Sequence, residues 1–181
     1  MDVSAIILSL YPSAIPLTDF VVSKPWNQPV QIVRWNAAKL GVQPTFAQLE
    51  AAWPAAQLQA AQASQKTRVQ ASCVAAITSG FVSSALGSPN TYPSTLTDQH
   101  NLSGSVIASL LPNLPSGWTT SFWCMDSTGA WAFTPHTAAQ IQQVGLEGKA
   151  WIVTCQQQKA SLDAQINAAT TVSAVQSVQW S

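Results

Sequence analysis

The chain has 181 residues, 47% hydrophobic and only 8% charged, with zero formal net charge. That is apolar material for one good core or two small ones, with charge far below the roughly 25% of ordinary soluble domains. The balance excludes a nucleic-acid partner gripped by its phosphates, because Arg34 and Arg68 are the only arginines and no basic run exists. No apolar run approaches the ~18 residues that cross a bilayer, so no membrane insertion is expected. Asp2 and the absence of a basic n-region argue against a signal peptide. Cys73, Cys124 and Cys155 have neither zinc nor disulfide-framework spacing. Free buried thiols are expected, which suits a reducing cytoplasm. Few charges leave little repulsion between copies, and the eight tryptophans are a residue type enriched at protein contacts. The chain is expected to work inside an assembly; the other reading makes all eight core residues.

In chain order, residues 3–10 read as a short helix capped by Asp2, with Ile6, Ile7 and Leu10 on one face. Asp19 to Ser23 and Val30 to Trp35 read as strands, joined by a proline-containing loop. Thr45 and Gln48 form a capping box for the next helix. Pro54 is expected to end that helix and to begin a second one, from about Ala55 to Ser79. Between Gln59 and Gln65 this second helix offers only Ala, Gln and Ser. It is read as a linker helix, with an oligomeric bundle as the alternative. Gly80 to Leu86 and Asn90 to Thr95 read as paired strands across Gly87-Ser88-Pro89. A helix capped by Thr97 or Asp98 follows to about Leu111, with Leu102, Val106, Ile107 and Leu110 at helical spacing. Trp118 to Met125 and Ala130 to Phe133 form a hairpin around Asp126-Ser127-Thr128-Gly129. Thr137 with Gln140 makes a second capping box, opening a helix to about Ala169. Gly145 and Gly148 predict either a break or close packing within it. Thr170 or Thr171 caps a last short helix.

Few residues suggest chemistry. His136 could be a general base or a metal ligand, with His100, Asp98 and Cys124 as partners. The simpler reading is a histidine at the helix entrance bonded to a turn, since the two histidines show no ligand spacing. Asp98, Gln99 and Asn101 read as a helix cap and its neighbours. Alternatively they join His136, Thr137 and Gln140 in one polar cluster. No Gly-x-Ser-x-Gly elbow is present, and a glycosidase pair would need Asp98 and Asp126 without other support. Trp118, Trp123 and Trp131 could form a sugar-stacking shelf, with core packing as the favoured use. Strand alternation places Trp123 with Ser121 and Met125, opposite Phe122.

Two stretches resemble known families. Residues 80–180 resemble a phage domain of unknown function found at the end of tail-fibre and tail-fibre-assembly proteins. The resemblance rests on Gly80-Phe81, Asp98-Gln99 with Asn101-Leu102, Gly129-Ala130-Trp131, His136 to Ile141 with Val144, and Leu162 with Gln165 to Ala169. Residues 5–53 are similar to prophage proteins of the XkdW type at Ala5-Ile6, Tyr11 to Ala14, Asp19-Phe20, Ile32, Trp35-Asn36, Pro44-Thr45, Leu49-Glu50 and Trp53. Neither family brings a known active site. The resemblance implies a bacteriophage tail-region protein in contact with the tail fibre and possibly with baseplate proteins, located on the virion tail or in the host cytoplasm during assembly.

The expected fold is α+β: an N-terminal helix/hairpin lobe (1–53), a connecting helix (54–79), and a C-terminal lobe of two β-hairpins packed by helices (80–181). The expected function is non-enzymatic, with no catalytic residue, metal or cofactor: a tail component or a fibre-assembly chaperone. The alternatives are a carbohydrate-recognising receptor-binding module and a cell-wall hydrolase. Interaction candidates are Trp118, Trp123, Trp131 and Trp151, with Asp98, Gln99, Asn101, His136 and Gln140. Association through residues 138–169 is expected to give a trimer, because a fibre partner would inherit the fibre's symmetry.

Overall fold

The computed structural model describes residues 1–181 and is α+β. It divides into two compact units: Met1–Gln65 with Ile166–Val178, and Lys66–Gln165 with Gln179–Ser181. Two helices, α3 (Phe46–Thr78) and α5 (Ala138–Ala168), contribute residues to both.

The first unit holds α1 (Val3–Leu10), β1 (Phe20–Ser23), β2 (Gln31–Trp35), α2 (Ala37–Leu40), the start of α3, and α6 (Val172–Ser177). Asp2 caps α1 by accepting the Ala5 N–H at 3.1 Å. β1 and β2 pair antiparallel with an irregularity at Val21/Val22. Val3, Ile6, Ile7, Phe20, Leu40 and Leu49 form the core, flanked by Tyr11, Trp35 and Trp53. A polar knot closes it. The buried Asp19 carboxylate accepts from the Ile15 N–H at 2.8 Å, Asn36 Nδ2 at 3.0 Å and Lys39 Nζ at 2.5 Å. These bonds, the Lys39 ammonium first, hold its pKa below the ordinary carboxylate value.

The capping box at Thr45 and Gln48 is present, but the expected break at Pro54 is not, since α3 runs through it. Proline removes the N–H that would reach the Glu50 carbonyl and crowds that carbonyl, but both residues lie on the exposed side, where the carbonyl can tilt out and bond water. Further along, Gln62 Nε2 donates to the Ile166 and Ala169 carbonyls at 3.1 and 3.3 Å. The buried Gln65 donates to the Val178 carbonyl at 2.6 Å. Glutamines thus satisfy acceptors that a helix C-terminus leaves open.

The second unit carries one antiparallel sheet in the order β3-β4-β5-β6: β3 (Phe81–Ser83), β4 (Asn90–Tyr92), β5 (Thr119–Met125) and β6 (Trp131–Thr137). The two expected hairpins join because Thr91 of β4 pairs with Met125 of β5. α4 (Leu96–Ser109) and α5 pack on the sheet. Phe81, Tyr92, Leu102, Phe122, Cys124, Ile141 and Val144 form the core. The cap of α4 is Thr95, two or three residues earlier than expected. Asp98 sits at the third helical position and reaches back to the Thr95 N–H at 3.0 Å, completing a capping box.

α5 begins at its own box, Thr137 with Gln140, and does not break at its glycines. A Cβ at Gly145 would meet Val106 Cγ2 at 2.7 Å, and one at Gly148 would meet Phe81 Cζ at 2.7 Å. Both glycines exist to let α4 and the sheet approach. Cys73, Cys124 and Cys155 are buried free thiols. Cys73 Sγ lies 3.6 Å from the Cys155 carbonyl, and burial pushes the Cys155 thiol pKa up.

Candidate functional site

An aromatic shelf and two grooves lie in the second unit, and the shelf starts with its hairpin. The β5–β6 turn is fixed by Asp126, whose Oδ1 accepts from the Thr128 N–H at 2.8 Å, its hydroxyl at 2.6 Å and the Ala130 N–H at 3.1 Å. The Thr128 hydroxyl is the main cause of a lowered Asp126 pKa, followed by the Ala130 N–H. Gly129 supplies the positive φ of 87° that the turn requires. This turn sets the register, with Trp123 opposite Phe133 and Met125 opposite Trp131. Alternation then sends Phe122 and Cys124 into the core and Trp123, Trp131 and Phe133 outward.

The outward rings form a shelf. Trp123 and Trp131 stack with centroids 6.0 Å apart and planes at 15°. Phe133 lies 4.9 Å from Trp123. The three are 39%, 41% and 70% exposed, respectively. The favoured expectation that the hairpin tryptophans are core residues is therefore corrected for Trp123 and Trp131. The sheet has a single covered face, and that face is already filled by Phe122, Cys124 and His136. Trp118 and Trp151, the other tryptophans among the interaction candidates, are partly buried against the core, and Trp151 Nε1 donates to the Ala76 carbonyl at 3.2 Å.

Two grooves flank α4. The first, about 770 Å³, lies between α4 and the hairpin. Asp98, His100, Asn101, Gly104, Ser105 and Ala108 line one wall, and the Thr120–Trp123 edge of β5 with Phe133 lines the other. The second, about 510 Å³, lies between α4 and α5. Its wall includes Leu102, Val106, Ile107, Leu110, Leu146 and Ile152. Ile107, Leu110 and Leu146 are 63%, 66% and 72% exposed. The sequence periodicity assigns Ile107 and Leu110 to the core-facing side of their helix. The structure corrects this: the apolar arc of α4 is wider than α5 and the sheet cover, so Leu102 is buried while its neighbours rim an open groove.

Beneath the sheet, His136 is fully buried. It is the sixth residue of β6, which continues through Pro135 and leads directly into the Thr137 cap of α5. His136 Nδ1 lies 2.8 Å from the Thr134 carbonyl, and Nε2 lies 2.8 Å from the Tyr92 hydroxyl. A carbonyl only accepts, so Nδ1 carries the proton and Nε2 accepts from Tyr92. Burial lowers the His136 pKa below its ordinary 6.5, and burial raises that of the Tyr92 phenol. A neutral imidazole with both nitrogens committed is a structural post, not a base open to substrate. Its suggested ligand partners are not gathered round it, and no group of three or more His, Cys, Asp or Glu side chains could hold a metal.

The polar signatures do not merge into the single cluster considered above. Asp98 bonds Thr95, Gln99 Nε2 bonds the Ser94 carbonyl at 2.9 Å, and Gln140 bonds Thr137. Asp98 and Asn101 instead line the same groove as Trp123, on the wall opposite it, while Gln99 lines the other groove. Sequence reasoning missed His100, Gly104 and Ser105 as lining residues, and Phe133 as part of the shelf. Phe133 was findable, since it alternates in phase with Trp131.

A family model described as Domain of unknown function (DUF4376) matches residues 59–179, and one described as XkdW protein matches residues 3–61. No curated protein and no solved structure matches the chain. The first match spans most of the chain, which belongs to the DUF4376 family and carries an XkdW segment at its N-terminal end. Both resemblances read from the residues are thereby shown, and the protein is phage-associated.

Proposed function

We propose that this phage-associated member of the family is a non-enzymatic tail protein that binds the tail fibre through the α4/α5 groove. It does so as a component that stays on the virion or as the fibre's assembly chaperone. The observation that carries this reading is the open apolar groove with Ile107, Leu110 and Leu146 on its rim. Contiguous exposed apolar surface marks an interaction site, and a chain with 8% charged residues has little else to keep it apart from partners. Fibre subunits awaiting assembly expose apolar surface of their own. An amphipathic fibre segment laid into the groove would cover both. Association of three copies, matching a three-fold fibre, is part of the same reading.

The test has two steps. Capture of the fibre protein from infected cells is expected with the native chain, and to fall at least roughly tenfold in the double variant Ile107→Asp/Leu146→Asp, whose sites are exposed enough to leave the fold intact. Peptide mass spectrometry of purified virions then separates the roles: stoichiometric presence makes it a tail component, and absence with retained capture makes it a chaperone. A chain absent from virions that also fails to capture the fibre would sink the reading.

A further inference from the structure

We propose that the groove between α4 and the β5 edge binds a neutral sugar ring, such as a pyranose unit of a polysaccharide. The site is distinct from the fibre groove and does not depend on that reading.

Three observations converge on it. The first is the aromatic shelf. Trp123 and Phe133 line the groove and Trp131 extends it by stacking on Trp123. The face of an aromatic ring is electron-rich, so it packs against the weakly positive C–H groups on one side of a pyranose. The second is a set of uncommitted polar groups opposite the shelf. The side chains of His100, Asn101 and Ser105 have no hydrogen-bond partner within the protein. Asp98 accepts from the Thr95 N–H and hydroxyl through Oδ2 and keeps Oδ1. The β5 backbone adds more. β4 meets β5 only at Met125, so along Thr120–Trp123 the strand has β6 on one side and the groove on the other. Its outward N–H and C=O groups have no strand partner. Sugar hydroxyls both donate and accept, and this wall offers both.

The third observation is Gly104. A glycine inside a helix costs roughly 1 kcal/mol relative to alanine. At Gly145 and Gly148 the packing requires it, but a Cβ at Gly104 would meet nothing within 4 Å. The fold does not need this glycine. It lies on the groove wall, where a missing side chain lets a ligand approach the helix backbone.

The lining also selects among ligands. Asp98 is its only acidic residue and it has no Lys or Arg, so phosphorylated or acidic ligands find no counter-charge. An added peptide strand would find only the Thr120–Trp123 edge, below the roughly five to six residues that strands most often have. A ring that stacks on one face and hydrogen-bonds round its rim fits better.

The experiment uses the full chain. It is screened on a printed array of neutral glycans, and hits are titrated by tryptophan fluorescence and saturation-transfer NMR. The expected result is saturable binding of at least one neutral glycan, on the order of 1 mM for a single site. Trp123→Ala and Gly104→Leu should each weaken it at least roughly tenfold with an unchanged circular dichroism spectrum. Gly104→Leu is the control on folding, since it adds bulk only to the groove. No saturable response across the array, or a response that survives both substitutions, overturns the proposal. So does loss of fibre capture in both variants without any sugar response, which would make the groove a protein interface.

Discussion

The three helical glycines of the second unit make a graded prediction. Replacing glycine by alanine in a helix gains about 1 kcal/mol from backbone entropy wherever the Cβ is free. At Gly104 nothing lies within 4 Å, so Gly104→Ala should stabilise by about 0.5–1 kcal/mol. At Gly148 the new Cβ would lie 2.7, 3.0 and 3.3 Å from three atoms of the Phe81 ring, where carbon contacts prefer about 3.5–4.0 Å. Phe81 is buried and stacked on Tyr92 with centroids 5.6 Å apart, so the ring cannot swing away freely. Overpacking of this kind costs about 1–3 kcal/mol, leaving Gly148→Ala neutral to destabilising by about 2 kcal/mol. Gly145→Ala should fall between, because Val106 is only half-buried and can yield. The spread between the extremes is roughly 1–3 kcal/mol, or about 2–12 °C in Tm for a chain of this size. Thermal unfolding followed by circular dichroism measures it, with amide exchange of α4 and α5 assigning the change to the second unit. Equal stabilisation by Gly148→Ala and Gly104→Ala would refute the close approach of α5 to Phe81.

Tyr92→Phe should cost about 1–3 kcal/mol, because it removes the only donor to a fully buried imidazole nitrogen; an unchanged denaturant midpoint would contradict the bond. His136 is held below its ordinary pKa of 6.5 by burial, so the unfolded chain takes up its proton first as pH falls. Stability should therefore decline with falling pH from about 6.5 down to the folded value, and His136→Asn should remove that slope from urea melts run at successive pH values. Asp19 has the usual carboxylate sign: its contribution is present above 3.8 and lost as pH falls through its lowered folded pKa. Lys39→Met should raise the acid midpoint at which β1–β2 amides lose protection, and an unmoved midpoint would remove Lys39 from the knot. Pro54→Ala should stabilise by about 1–3 kcal/mol, as the interior of one continuous helix requires; a lower Tm would restore the reading of Pro54 as the start of a second helix.

Most of the fold was legible because its signals are local. Asp2, Thr45 with Gln48, Thr137 with Gln140 and Thr171 are caps whose geometry follows from residue type and spacing. The β5–β6 register follows from one Asp–Gly turn. What was not legible depends on neighbours distant in sequence. Nothing around Gly145 reveals that Val106 will fill its notch, and nothing around Pro54 shows that Glu50 stays wet. The candidate site divides the same way. Alternation put Trp123 on the face opposite Phe122, but whether that face is covered depends on where α4 and α5 lie. Periodicity gave α4 an apolar side, but not that α5 covers only part of it.

α4 has the property on which both proposals turn. The residues that line one groove and those that line the other do not overlap, and at 3.6 residues per turn they fall on opposite halves of the helix. A ligand in either groove could influence the other only by moving this shared wall. The wall is pinned at three points: the Thr95–Asp98 box at its start, Leu102 in the core, and Val106 in the notch at Gly145. Contacts packed at native density resist gradual displacement. The two sites should then be energetically independent. Leu146→Asp should leave glycan affinity within about twofold, and Trp123→Ala should leave fibre capture equally unchanged, as expected for positions sharing no partner. A larger cross-effect, measured as a double-mutant cycle on both binding assays, would show that α4 moves and that fibre and glycan binding are coupled through it.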